Sequence, residues 1–228
     1  MQQDVSEHIL DIAVLEIEQR GIVDFSLSGV AHSAHVSKST VYKLYPTKDD
    51  VMLAVFRREL LLRLQQAQSV SHCSLLNNVE KVLTFHALSI ALQCQSPSQH
   101  GLKFLPTNPT LWHKAKKSRV DEMTALLQRI YKFPEYLLEQ ACIAAEIKMS
   151  PRQIVLAELD LMAQERGYIV NILNVATRNQ YLCLPIEHYV GSLEHQLLTH
   201  CDNPVLIVDR AKIARWIHRD LNLETHSN

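Results

Sequence analysis

The stretch Ser26–Lys48, SLSGVAHSAHVSKSTVYKLYPTK, constrains the chain more than any other. Ser26 is a good N-cap for a helix carrying Leu27, Val30, Ala31 and Ala34 on one face, the three- and four-residue spacing of a buried stripe. Ser37 caps a second helix, Lys38 to about Tyr45, with Val41 and Leu44 or Tyr45 turned inward. Pro46 cannot continue that helix, and Thr47 with Asp50 three residues on predicts a capping-box-like start for the next. Val36 falls in the turn, where it can wedge between the two helices. The implied geometry is a helix-turn-helix whose second helix is free to enter a major groove.

The polar residues of the second helix agree with that geometry. Lys38, Ser39, Thr40, Tyr42 and Lys43 occupy faces that Val41 and Leu44 do not use. Ser26–Lys48 holds three lysines and no acid, although 24 acids slightly outnumber 23 bases over the chain. A polyanionic surface favours that local balance, because each neutralised phosphate releases counterions. Hydroxyls donate to phosphates, and lysine adds charge or a contact to guanine.

At these residues a family resemblance emerges. Val36 to Tyr42 followed by Tyr45 to Lys48 resembles the DNA-binding signature of the TetR family of bacterial transcriptional regulators. Phe25, Ser26, Val30, Ala31, Ala34, Val36, Ser37, Lys38, Thr40, Val41, Tyr42, Thr47 and Lys48 match its pattern, and Ile9, Leu10, Ala13, Ile17, Arg20 and Gly21 resemble its first helix and glycine stop. The likeness covers about the first quarter of the chain. Three positions depart from it: His35 stands where a turn glycine is usual, Ser39 replaces a second glycine, and Leu44 replaces a Tyr or His that often reaches a phosphate. Gly29 also costs its helix roughly 1 kcal/mol against alanine.

The resemblance implies a homodimeric regulator, a repressor relieved by a small-molecule effector, bound to a palindromic double-stranded operator. Ser26, Ser37, Thr40, Tyr42 and Lys48 are then expected to fix register on phosphates, Lys38, Ser39 and Lys43 to enter the groove, and Ser28 to belong to the same DNA-binding set. Two late helices of each subunit usually form a four-helix dimer interface in the family. Here those are Pro151 to about Asn179 and Leu184 to Cys201, which the sequence alone also allows to be buried within one subunit.

The rest of the chain predicts an all-α fold. Asp4–Arg20 is a first helix with Ile9, Ile12, Ala13 and Ile17 inside, closing a three-helix module. Lys48–Ser69 is a long helix that leads from this module into a second, carboxy-terminal helical domain. Further helices are expected over Leu75–Gln95, Thr110–Lys132, Pro134–Met149 and Asn203–Leu223, with Ser96–Pro109 as a proline-rich loop. The domains are residues 1–50 for DNA binding and 51–228 for effector binding and dimerisation. Phe85, His86, Phe104, Trp112, Tyr131 and Tyr136 are candidates to line an effector pocket between helices, or else to fill a core.

Other chemistry finds little purchase. There is no Gly-rich phosphate loop or nucleophile elbow, so neither an enzyme nor a cofactor is expected. Glu158, Asp160 and Glu165 fall at spacings typical of a solvated helix face. Twelve histidines include loose groups such as His32 with His35, and His195 with His200 and Cys201, but no H-E-x-x-H pattern, so no metal is expected. Five unpatterned cysteines suit free thiols in a reducing cytosol. The start is acidic where a signal peptide is basic, and no apolar run approaches the ~20 residues of a membrane span, so a cytoplasmic protein is expected. The alternative is a helical ligand- or protein-binding module whose operator recognition is lost or altered, an option raised by His35, Ser39 and Leu44.

Overall fold

Capping residues and apolar stripes set the helices of the computed structural model, which describes residues 2–95, 109–202 and 208–221. No strand occurs among them. The amino-terminal helix α1 (Gln2–Asp24) is interrupted at Gly21, whose φ of 77° and ψ of 166° belong to backbone that only glycine adopts easily. Helices α2 (Leu27–Ser33) and α3 (Lys38–Leu44) follow, and α4 (Lys48–His72) is the long helix expected after Pro46. Ile9, Leu10, Ala13 and Ile17 of α1 are buried with Phe25, Leu27, Val30, Ala31, Ala34 and Val41. Leu10 takes the inner place expected of Ile12, which is half-buried.

Gly21 makes a sharp test of this turn. A Cβ there meets nothing within 4 Å, so any penalty comes from the backbone alone. Gly21→Ala is expected to destabilise the protein by about 1–3 kcal/mol. Gly21→Asn should cost nearly as much, because asparagine relieves ordinary left-handed helical backbone but not this ψ. Chemical denaturation measures both; an unchanged midpoint for either would show that the turn relaxes freely.

Next come α5 (Asn78–Gln95), α6 (Pro109–Lys114) and α7 (Lys117–Ile143). The carboxy-terminal part holds α8 (Pro151–Leu173), α9 (Arg178–Leu182), α10 (Ile186–Leu198) and α11 (Arg210–Asp220). Several boundaries differ from expectation, among them the end of α7, which falls at Ile143 rather than Met149. Pro134 does not open a helix but lies inside α7, buried beside Ile130, Leu137 and Leu138. Proline in a helix interior costs about 3 kcal/mol, and apolar burial on both sides offsets it. The expected Thr110–Lys132 helix is divided after Lys114. Finally, α8 stops at Leu173 rather than near Asn179, with Asn174 in extended backbone as its C-cap. Gly167 inside α8 marks no close approach, since a Cβ there meets nothing.

The chain forms two compact units, each of two segments: residues 1–63 with 98–129, and residues 64–97 with 130–228. In the first, Met123 and Leu126 of α7 join the buried set, and Arg57 pairs with Glu122 at 2.5 Å. Arg58 of α4 pairs with Asp11 at 2.7 Å, tying α4 to α1. In the second, α5 is central, with residues 82–91 all buried against α8, α10 and α11. Glu80 caps α5 with Asn77, accepts the Asp209 backbone N–H at 3.2 Å and pairs with Lys212 at 2.5 Å. Ser150 and Gln153 form a full capping box on α8, with Pro151 in its first turn.

Candidate nucleic-acid interface

Four local devices hold α2, α3 and the start of α4. The Ser26 hydroxyl accepts the Gly29 N–H at 3.0 Å, and Ser37 accepts the Thr40 N–H at 3.1 Å. Between the helices His35 has φ of 53°, the left-handed position where glycine is usual. The His35 N–H donates to His32 O and the Val36 N–H to Ala31 O, each at 3.1 Å, which together make a Schellman turn. His35 therefore does the glycine's work at some backbone cost. At α4 the Asp50 carboxylate accepts the Thr47 backbone N–H at 3.2 Å and the Thr47 hydroxyl accepts the Asp50 N–H at 3.0 Å, the expected reciprocal cap.

These devices leave α3 with one side inward. Val41 is fully buried, Tyr45 just beyond the helix is 3% exposed, and Leu44 is only half-buried, so Tyr45 takes the inner role. Its hydroxyl bonds Ser6 on α1 at 2.7 Å, and burial raises its pKa above the ordinary tyrosine value. The opposite side presents Lys38, Ser39, Tyr42 and Lys43 to solvent, with Tyr42 46% exposed and Thr40 half-buried. Ser37, Ser39 and Thr40 share hydroxyl contacts of 2.7 and 2.8 Å at the start of α3. Ser26 is exposed and Ser28 half-buried at the start of α2.

Lys48 is already engaged. Its ammonium donates to Val23 O at 2.6 Å and lies 4.4 Å from the centre of the Phe25 ring. An ammonium has three donors, so this bond fixes its place and leaves capacity for a phosphate.

One residue of this unit carried no sequence signal. Arg119 of α7 donates through Nη2 to the carbonyl of Leu44, the last residue of α3, at 2.8 Å. Its guanidinium lies 5.0 Å from the Tyr45 ring centre, and its Nε is 3.2 Å from Asp50 Oδ1, close enough for charge pairing without an aligned hydrogen bond. The separation of 75 positions from Leu44 to Arg119 puts the pairing beyond any local pattern.

The pocket candidates are spread. Phe85 and His86 are buried side by side on α5, and Phe85 meets Phe133 edge-on at 5.2 Å. Tyr131 accepts a bond from Arg166 at 3.0 Å, and Tyr136 is 51% exposed. Trp112 is half-buried in the other unit, and Phe104 lies outside the described residues.

The expectation of a solvated face for Glu158 and Glu165 is overturned. Both point inward to His86: Glu165 lies 2.6 Å from Nδ1 and Glu158 3.1 Å from Nε2. Burial alone lowers the His86 pKa, but the charge and hydrogen bond of Glu158, then those of Glu165, outweigh it and bring it to about 9. Burial also raises the Glu158 carboxyl, with His86 opposing. A neutral imidazole would turn a lone pair toward one carboxylate, so the cluster retains a proton at neutral pH. Asp160 does face solvent, where it pairs with His200 at 2.8 Å. Among the described residues no group of three or more His, Cys, Asp or Glu is arranged to hold a metal ion, and no helix is long and apolar enough to cross a membrane.

Fold and site together define an all-helical protein with an amino-terminal helix-turn-helix whose second helix is open to a duplex groove. Residues 9–55, which span α1 to the first part of α4, match the model of "Bacterial regulatory proteins, tetR family". Several solved structures of similar fold are described as TetR-type regulators. A TetR transcription regulator from Haloarcula marismortui aligns with a TM-score of 0.69 at 12% identity, over 88% of this chain and 100% of that one. FadR from Bacillus subtilis, in complex with stearoyl-CoA, aligns at 0.61 and 16% identity, over 82% and 97%. AibR, in complex with isovaleryl coenzyme A and operator DNA, aligns at 0.59 and 18% identity, over 82% and 97%. At these identities the likeness establishes the fold. A search of curated proteins returns no match.

Proposed function

We propose that the chain is a homodimeric, cytoplasmic repressor that reads a palindromic operator with α3 and releases it when a small molecule binds the carboxy-terminal helices. The observation that carries this is the outward face of Lys38, Ser39, Tyr42 and Lys43, on a helix anchored through Val41. Residues 1–50 bind DNA, and residues 51–228 bind the effector and dimerise. Phe85, His86 and Tyr131 are the pocket residues we assign to the carboxy-terminal unit; FadR and AibR, each solved with an acyl-coenzyme A, support an effector of some kind. The chain acts by binding rather than by turnover.

Dimerisation is assigned to α8, which exposes Val155, Leu156, Leu159 and Val170, each 42–50% accessible, on one stripe. Such a stripe on a long helix suits an isologous contact with a second copy. Selection of bound sites from random DNA tests the whole proposal. Winners should carry two inverted half-sites, centred about one helical turn or a multiple apart. No enrichment would leave a helical binding module without operator recognition. The double variant Leu156→Glu, Leu159→Glu should sediment as a monomer and lose those sites, whereas an intact dimer would move the interface elsewhere.

A further inference from the structure

The far end of α3 is held by a residue from much later in the chain. Arg119 touches the Leu44 carbonyl, the Tyr45 ring and the Asp50 carboxylate together. The Lys116 backbone N–H adds a bond of 3.2 Å to the same Asp50 oxygen. Asp50 is 2% exposed and simultaneously caps α4, so a single guanidinium joins the end of α3 to the beginning of α4. The carboxyl end of a helix carries partial negative charge, which favours a cation there, and the arginine fork permits several contacts in fixed geometry.

Local capping does not require this contact. Ser26, Ser37 and the Thr47–Asp50 box already serve the helix starts, and the Tyr45 N–H closes α3 onto Val41 O at 2.8 Å. What Arg119 adds is a constraint on the direction of α3 against α4.

We propose that Arg119 is the positioning residue of the recognition helix. This rests on the DNA-reading function assigned above. Arg119 itself contacts no DNA: it holds α3 at the angle that lets Lys38 and Lys43 reach base edges. Loss of the clamp therefore degrades discrimination between sequences and spares phosphate-driven attraction.

The experiment compares full-length wild type with Arg119→Gln and Arg119→Lys, using the selected operator, a scrambled duplex and hydrogen exchange. Arg119→Gln should bind the operator about tenfold or more weakly, the loss of one charge-assisted bond. Its affinity for the scrambled duplex and its salt slope should stay unchanged, and exchange should rise across residues 38–45 but not across α2. Arg119→Lys, which keeps the charge and one bond to Leu44, should fall between, and it carries the comparison should the glutamine variant not fold. Equal losses on both duplexes, or operator affinity and α3 protection both retained, would overturn the clamp. If wild type selects no DNA while the variant still loosens residues 38–45, the clamp stands and the operator function falls.

Discussion

Replacing His86 by alanine is expected to cost about 3–5 kcal/mol, the range found when one partner of a buried ion pair is removed. The ring is 1% exposed, with a carboxylate within hydrogen-bond distance of each nitrogen. Without it, two inward carboxylates face each other with their shared counter-charge gone. Chemical denaturation at neutral pH measures the loss, and a change below about 1 kcal/mol would mean that the carboxylates find other solvation. The pH dependence provides a second reading of the same cluster. The folded His86 value of about 9 lies above its ordinary 6.5, so its stabilisation is complete below pH 6.5 and disappears as pH rises through 9. Glu158, raised by burial, acts in the same direction at lower pH, since protonation favours the folded state. Wild type should thus lose stability from pH 6.5 to 9 by a few kcal/mol, whereas His86→Ala should run nearly level over that window.

The second large effect concerns Lys38. It opens α3, is exposed, and follows a cap that fixes the direction of the helix. If it reads a base edge, Lys38→Ala should cost about 1–3 kcal/mol per half-site and relax preference at one position of each. Lys48→Ala should behave differently. Its phosphate role predicts a uniform loss over all sequences, with the salt slope reduced by about 0.9 per half-site. Because that ammonium also holds Val23 and Phe25, Lys48→Arg is the control that preserves a cation at the link. Binding measured across a site library at several salt concentrations separates the two roles. A uniform loss for Lys38→Ala would move that lysine to a phosphate, and an unchanged slope for Lys48→Ala would reject its phosphate contact.

The amino-terminal module was legible because its determinants are local. Ser26, Ser37, Thr47 and Asp50 each act within three residues of themselves, and the left-handed turn at His35 stands where the family resemblance puts a glycine. The outward residues of α3 were then fixed by subtraction once Val41 was placed. Pairings across long stretches of chain had no such signature. Glu158 and Glu165 look like ordinary surface carboxylates until α5 brings His86 to them, 72 and 79 residues away. Arg119 has the same character, as does the continuation of α7 through Pro134, where tertiary burial overrides a strong local signal.

The narrow footing of α3 on its own body has an evolutionary consequence. Val41 and the adjoining Tyr45 secure the helix, while Lys38, Ser39, Tyr42 and Lys43 are left out of the core. Descendants can exchange those four side chains with little penalty to folding, so a duplex-reading face of the kind proposed can change its target through viable intermediates.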